Sequence, residues 1–301
     1  MTLGSSPVGA HIRTAGALAR GGLAYADAIG AEAVQVFVGN PRGWAATPGD
    51  PAQDAAFRAG CEQRGLAAYV HAPYLVNFGS PTLATLENSI RIVRHNLRRG
   101  AEIGARGVVV HTGSSVNGTD RAIALKQVRE AMLPLLDELD DLDARGGPAP
   151  ALLLEPTAGQ GQSLCALASD LGPYLAVLEH HPRVGLCLDT CHAFAAGHDI
   201  ASLEGMTALL DEVLEVAGPG RLKLLHANDS TDGVGAFKDR HARIGLGQIG
   251  TEPFAGLFTH PASRGVPLVL ETPGERAENA ADVALLKRLR DESRPRRRAV
   301  R

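Results

Sequence analysis

The chain alternates short apolar runs with longer segments whose apolar residues recur at helical spacing. The runs cover residues 8–11, 33–37, 67–71, 107–111, 151–155, 184–189, 222–226 and 267–271. Short runs of this kind fit strands covered on both faces. Nearly all finish on His, Asp or Glu, and a doubly buried strand has no reason to end on such a residue unless its tip faces a site.

The intervening segments carry helical punctuation. Asp50 followed by Pro51 and Gln53 reads as an N-cap, a first-turn proline and a capping box, with Gly65 as the stop. Ser80 and Pro81 open the next helix, whose stripe runs through Leu86, Ile90, Val93 and Leu97. Residues 118–145 read as a helix ending at Gly146, Gly147 and Pro148, and 201–216 and 276–290 complete the amphipathic set. Strand tips recur roughly every 25 to 45 residues, the length of a βα unit. Eight such units predict a single α/β domain, a (β/α)8 barrel over residues 1–290, in which all eight carboxyl ends open onto one face. Residues 291–301 hold five arginines and a proline and read as a basic, disordered, solubilising tail.

Composition narrows the picture only a little. A formal net charge of −3 argues against a generally basic nucleic-acid coat, although bound cations are not counted in it. Four cysteines in 301 residues do not make a disulfide framework. The start MTLGSSP has neither the basic nor the apolar region of a signal peptide, and no apolar run approaches the roughly 20 residues of a membrane helix. A soluble, cytoplasmic protein without a membrane partner is expected.

The chemistry lies at the strand tips. His71 sits in YVHAPYL, His111 in GVVVHTG, Glu155 in LLLEPTAGQG, Asp189 and His192 in LCLDTCHAF, and His226 in LLHANDS. Asp239 and His241 stand in KDRHARIGLGQIG and Glu271 in LVLETPG. These are five imidazoles and four carboxylates, a mixture that suits zinc, manganese or iron. With one bridging carboxylate, nine ligands are enough for about three four-coordinate ions with open positions.

In those segments, taken in order from about Val8 to Gly274, the chain resembles the endonuclease IV family of apurinic/apyrimidinic endonucleases. DTCHAFAAGHD and DRHARIGLGQIG are the longest and most specific of them. The resemblance implies a trinuclear zinc centre, with Mn2+ or Fe2+ also compatible. His71 and His111 would hold one ion, and Glu155 would bridge it to a second completed by Asp189, His226 and Glu271. His192, Asp239 and His241 would hold the third. Three divalent ions, about +6, against four carboxylates leave a local surplus near +2, where a phosphate would sit. Pro156 and Thr112 depart from residues common in the family, Asn and Pro, without removing a ligand.

By the same resemblance the substrate is duplex DNA with abasic sites or blocked 3′ ends. Hydrolysis 5′ to the abasic sugar would leave a 3′-hydroxyl and a 5′-deoxyribose phosphate. Glu271 and Glu155 are the catalytic carboxylates, Glu271 orienting or deprotonating the water and Glu155 bridging the ions. Arg42, Tyr74 and Leu75, in the segments after the second and third strands, match the family's groove-entering residues. A monomer is the default.

Other polar residues read as structural. Arg91, Arg94 and Arg98 make a solvated helix face, Cys187 fills the barrel interior, and His11 lines the pocket without binding metal. His95, His180, His181, His198 and His260 read as ordinary surface or helix residues. Gly245, Gly247 and Gly250 resemble a phosphate loop but lack the following lysine, and read as a tight turn beside Asp239 and His241. Two rival functions remain. A xylose-isomerase-like sugar isomerase or epimerase would use Glu155, Asp189, His226 and Glu271 but leave the other five residues surplus. A damaged-DNA sensor without catalysis would not need Glu155 and Glu271.

Overall fold

The computed structural model describes residues 5–116 and 120–293. The elements run in the order β1 (Val8–His11), α1 (Ala24–Ile29), β2 (Ala33–Val36), α2 (Pro51–Arg64), β3 (Ala67–His71), α3 (Leu83–Ile103), β4 (Gly107–His111), α4 (Arg121–Ala144) and β5 (Ala151–Glu155). There follow α5 (Leu171–Val177), β6 (Val184–Asp189), α6 (Thr190–Ala196), α7 (Leu203–Ala217), β7 (Leu222–His226), β8 (Asp229–Ser230), β9 (His241–Ala242), α8 (Gly256–Thr259), β10 (Leu268–Leu270) and α9 (Arg276–Glu292).

Eight of the strands close a parallel barrel in the order β1-β10-β7-β6-β5-β4-β3-β2. The two-residue strands β8 and β9 pair antiparallel outside it. Every apolar run read from the sequence lies in a barrel strand, with the ends displaced by at most one residue at β2 and β10.

Inside the barrel Ala33, Ala67, Tyr69, Val109, Leu153, Cys187, Leu224 and Val269 form one apolar cluster, with Ala67 one level below Tyr69 on β3. A much larger cluster fills the space between strands and helices. Cys187 therefore belongs to the interior packing, as the sequence implied. The register between β6 and β7 slips by one: Leu186 faces Leu222, whereas Cys187 faces Leu224. Lys223 is the extra residue and points to solvent, and the bulge brings Asp189 level with His226.

Helix ends follow local chemistry, with corrections. Asp50 caps α2 by accepting from the Ala52 and Gln53 amides, and Gly65 closes the helix in the left-handed conformation. The expected capping box does not form. Gln53 Oε1 instead accepts from the Ala19 and Arg20 amides, stitching α2 to the segment after β1. Helix α3 starts at Leu83 with Thr82 as its N-cap, two residues past the expected opening, because Ser80 Oγ accepts from the Thr82 amide and holds a turn there. Helix α4 begins at Arg121 behind Asp120, and the earlier part of the expected 118–145 span falls on residues outside those described. Helix α9 runs to Glu292, and the expected basic tail lies outside the described residues from 294 on. The buried helix α6 carries no sequence signal, since all seven of its residues are covered and no amphipathic stripe exists. Among the described residues no helix is long and apolar enough to cross a membrane.

Candidate metal centre

Because side chains alternate along a strand, the residue two places after a member of the interior cluster sits directly above it, toward the carboxyl end of the barrel. His71 stands above Tyr69, His111 above Val109, Glu155 above Leu153, Asp189 above Cys187, His226 above Leu224 and Glu271 above Val269. His192 comes in from α6, whose first turn Asp189 caps by accepting from the His192 amide at 3.0 Å. Asp239 and His241 arrive on the segment leading into β9.

All nine residues expected as ligands converge. Their ligand atoms form the groups His71–His111–Glu155, Glu155–Asp189–His226–Glu271 and His192–Asp239–His241, with atoms in each group within 4.8 Å of one another. Glu155 is fully buried at the centre. Its Oε2 lies 3.2 Å from His71 Nε2 and 3.3 Å from His111 Nε2, and its Oε1 lies 2.8 Å from His226 Nδ1. Asp239 Oδ2 is 3.2 Å from His192 Nε2, and its Oδ1 is 3.1 Å from His241 Nε2. Over this floor opens a cleft of about 330 Å³ lined by Tyr74, His111, His192, Asp239, His241, Glu271 and Pro273.

Four of the histidines are held by their other ring nitrogen. Nδ1 of His71 lies 2.6 Å from the Ala72 carbonyl, Nδ1 of His192 lies 3.1 Å from the Pro156 carbonyl, and Nδ1 of His241 lies 3.3 Å from the Glu271 carbonyl. Nε2 of His226 lies 2.9 Å from Gln35 Oε1. Metal-binding histidines are oriented in this way. Nε2 of His241 is buried and makes no hydrogen bond, although two carboxylates stand close to it.

The charge pattern also fits cations. Burial opposes charge on His192 and His241, but the carboxylates of Asp189 and Asp239 outweigh it and push them up to about 10 and about 9. Burial likewise opposes charge on Asp239, Glu155 and Glu271, yet the surrounding imidazoles hold all three well below the usual carboxylate range. The carboxylates thus draw protons onto ring nitrogens for which a divalent cation would compete. Donor chemistry, anchored rings and the orphaned nitrogen together fit the residues to metal ions.

Several residues not singled out from sequence hold the centre together. Gln35 bonds His226, Glu271 and His11. Asn228 donates to Asp189 Oδ2 at 2.7 Å and accepts the Glu271 amide at 2.8 Å, tying β6 to the end of β10. Asp229 is wholly buried and accepts the amides of Ser230, Gly245, Gly247, Ile249 and Gly250. The glycine segment that looks like a phosphate loop is therefore closed around a carboxylate of the chain itself. A Cβ on Gly247 would lie 2.4 Å from the Ser230 carbonyl oxygen, so that close approach requires glycine. The available signal was a polar residue where the pattern called for an apolar one: Gln35 within AVQVF, and Asn228 and Asp229 within HANDS.

His11 lies 3.4 Å from Glu271 but is not among the residues that line the cleft, and it belongs to none of the ligand groups. The main-chain carbonyl at Pro156, which any residue there would offer, orients His192, whereas Thr112 Oγ1 donates to the Cys165 carbonyl, so of the two departures from the family pattern Thr112 contributes a side-chain bond. Arg94 pairs with Glu138, and Arg91 donates to the Trp44 carbonyl. His260 is not a surface residue: it is buried and holds Asp211 at 3.0 Å. Tyr74 and Leu75 are 47% and 39% exposed at the rim, with the Tyr74 ring stacked 5.9 Å from that of His111. The Tyr74 amide donates to the Pro41 carbonyl, joining this loop to the one carrying exposed Arg42.

The family described as xylose isomerase-like TIM barrel matches residues 23–291. The chain is 59% identical to a probable endonuclease 4 of Streptomyces avermitilis, over 96% of this chain and 92% of that protein. A probable endonuclease 4 of Streptomyces coelicolor is also 59% identical, over 96% and 97%. The crystal structure of endonuclease IV from Thermus thermophilus superposes with a TM-score of 0.81 at 33% identity, covering 95% of this chain and 99% of that one.

Proposed function

The chain belongs to the endonuclease IV family, and from that premise we propose that it is a metal-dependent DNA-repair endonuclease, a cytoplasmic monomer that hydrolyses the phosphodiester 5′ to abasic sites and trims blocked 3′ ends. The observation that carries the reading is the third donor group, His192–Asp239–His241, beside the two that share Glu155. A sugar isomerase working with one or two ions has no use for it.

In this reading the three groups would hold three zinc ions, with manganese or iron acceptable at one or more positions. Such ions lower the pKa of water toward neutrality and offset charge on the phosphate and the leaving oxygen. Glu155 joins two groups through its two oxygens. Glu271 would orient or deprotonate the attacking water. Tyr74 and Leu75 fill the gap left by a missing base while Arg42 enters the minor groove, which offsets the cost of kinking a duplex already unstacked there.

The test is a duplex carrying one tetrahydrofuran abasic analogue, which cannot undergo β-elimination. The zinc-loaded chain is expected to nick it on the 5′ side, leaving an extendable 3′-hydroxyl, and a strong chelator to abolish the nick. A fully zinc-loaded chain that leaves the duplex intact overturns the reading in favour of the sugar isomerase.

A further inference from the structure

Three of the four anchored histidines hang from main-chain carbonyls, which no substitution of a side chain removes. His226 alone hangs from a side chain, that of Gln35. Gln35 lies inside β2 between Val34 and Val36 and has no solvent exposure. A buried amide is costly unless its donors and acceptor are used, and here they are. Oε1 accepts from His226 Nε2 at 2.9 Å, while Nε2 donates to Glu271 Oε1 at 2.6 Å and to His11 Nδ1 at 3.1 Å.

These partners also fix which way the amide points. A flipped amide would set its oxygen 2.6 Å from a Glu271 carboxylate oxygen, two acceptors facing each other with no proton between them. With the observed orientation the His226 proton sits on Nε2, and Nδ1 is the nitrogen turned toward Glu155 Oε1 at 2.8 Å, Glu271 Oε2 at 3.4 Å and Asp189 Oδ2 at 3.8 Å. On Glu271, Oε1 is engaged by the amide and Oε2 is the oxygen on the His226 side.

We propose that Gln35 is the positioning residue of the central donor group, Glu155–Asp189–His226–Glu271: it selects Nδ1 of His226 and Oε2 of Glu271 as the atoms presented to a divalent cation. The proposal rests on the metal-centre reading above. It confines the effect to one group, because the bonds of Gln35 reach neither His71 and His111 nor His192, Asp239 and His241.

The test uses the full chain, zinc and the variant Gln35→Met, which keeps the volume and removes the hydrogen bonds. Competition against a zinc chelator of known affinity should show one ion held about 10- to 100-fold more weakly and the others unchanged, the usual cost of losing a partner behind a ligand. Nitrogen NMR of the zinc-loaded proteins should show His226 protonated on Nε2 with Nδ1 shifted by metal in the parent, and that pattern weakened or lost in Gln35→Met, a change that a packing role would not produce. Unchanged affinity for every ion in Gln35→Met overturns the proposal. So does a parent His226 protonated on Nδ1, a result that decides the matter even if the variant fails to fold. A parent chain that binds no zinc overturns the metal-centre reading itself, and with it this proposal, whereas full zinc binding in both proteins with equal affinities overturns the proposal alone.

Discussion

Two layers of the same barrel, one residue pair apart, have opposite chemistry. The lower layer, with Tyr69, Val109, Leu153, Cys187, Leu224 and Val269, is apolar. The upper one, with His71, His111, Glu155, Asp189, His226 and Glu271, gathers charge at the strand tips. The same strands supply both, and the step between them is the two-residue repeat of a strand. The lower layer fixes strand spacing by packing: a Cβ on Gly107 or Gly185 would lie 2.7 Å or 2.8 Å from Leu153, which fills the room those glycines leave. The upper layer cannot be held by packing, since each polar group there must be paired or lose free energy. It is held by hydrogen bonds, among them those of Asn228, Gln35 and the carbonyls behind His71, His192 and His241. Shape is thus secured below and chemistry positioned above.

The largest test of this division is Glu271→Gln. It removes a charge from the upper layer and should lower single-turnover cleavage by about 10²–10⁴-fold, the range for losing a general base, while abasic-duplex binding changes little. A mild loss of turnover would remove Glu271 from its role. Leu153→Ala breaks the lower layer instead. A cavity at that fully buried site should cost about 2–5 kcal/mol in urea unfolding, with zinc content of the folded protein retained. Loss of zinc at full stability would show that the layers are not separable.

At the rim, Tyr74→Ala should weaken binding to an abasic duplex by about 1–3 kcal/mol, the worth of an aromatic stack on a base, and binding to intact duplex by less. Equal losses in a gel-shift comparison would exclude insertion into the gap. The smallest effect concerns pH. His192 and His241 are raised from 6.5 to about 10 and about 9, so in the metal-free chain their stabilising contribution is complete below pH 6.5 and lost as pH rises through 9 to 10. Melting temperature without metal should fall over that window, and zinc, by replacing those protons, should flatten the fall. Parallel profiles with and without zinc would count against these rings as ligands.

The alternation of apolar and polar residues was enough for the eight strands, for α2, α7 and α9 to within a residue or two, and for the nine residues that converge. Each of those signals is local: a period, a cap, or a polar tip on an apolar run. Where the sequence failed, the deciding partner was far along the chain or the local signal was absent. Gln53 left its capping box for amides at 19 and 20, and α6 is covered on all sides and has no stripe to read. The glycines at 245, 247 and 250 were legible as a turn, but not as the wrapping of Asp229. Gln35 looked like one polar residue in a strand until closure of the barrel brought it to His226 and Glu271, 191 and 236 residues away. Sequence by itself determined which polar residues stand at the strand tips and in the motifs beside them, because composition and period are properties of neighbours in the chain. Only the tertiary structure decided which ring nitrogen and which carboxylate oxygen face inward, because hydrogen bonds between strands exist only after the barrel has closed.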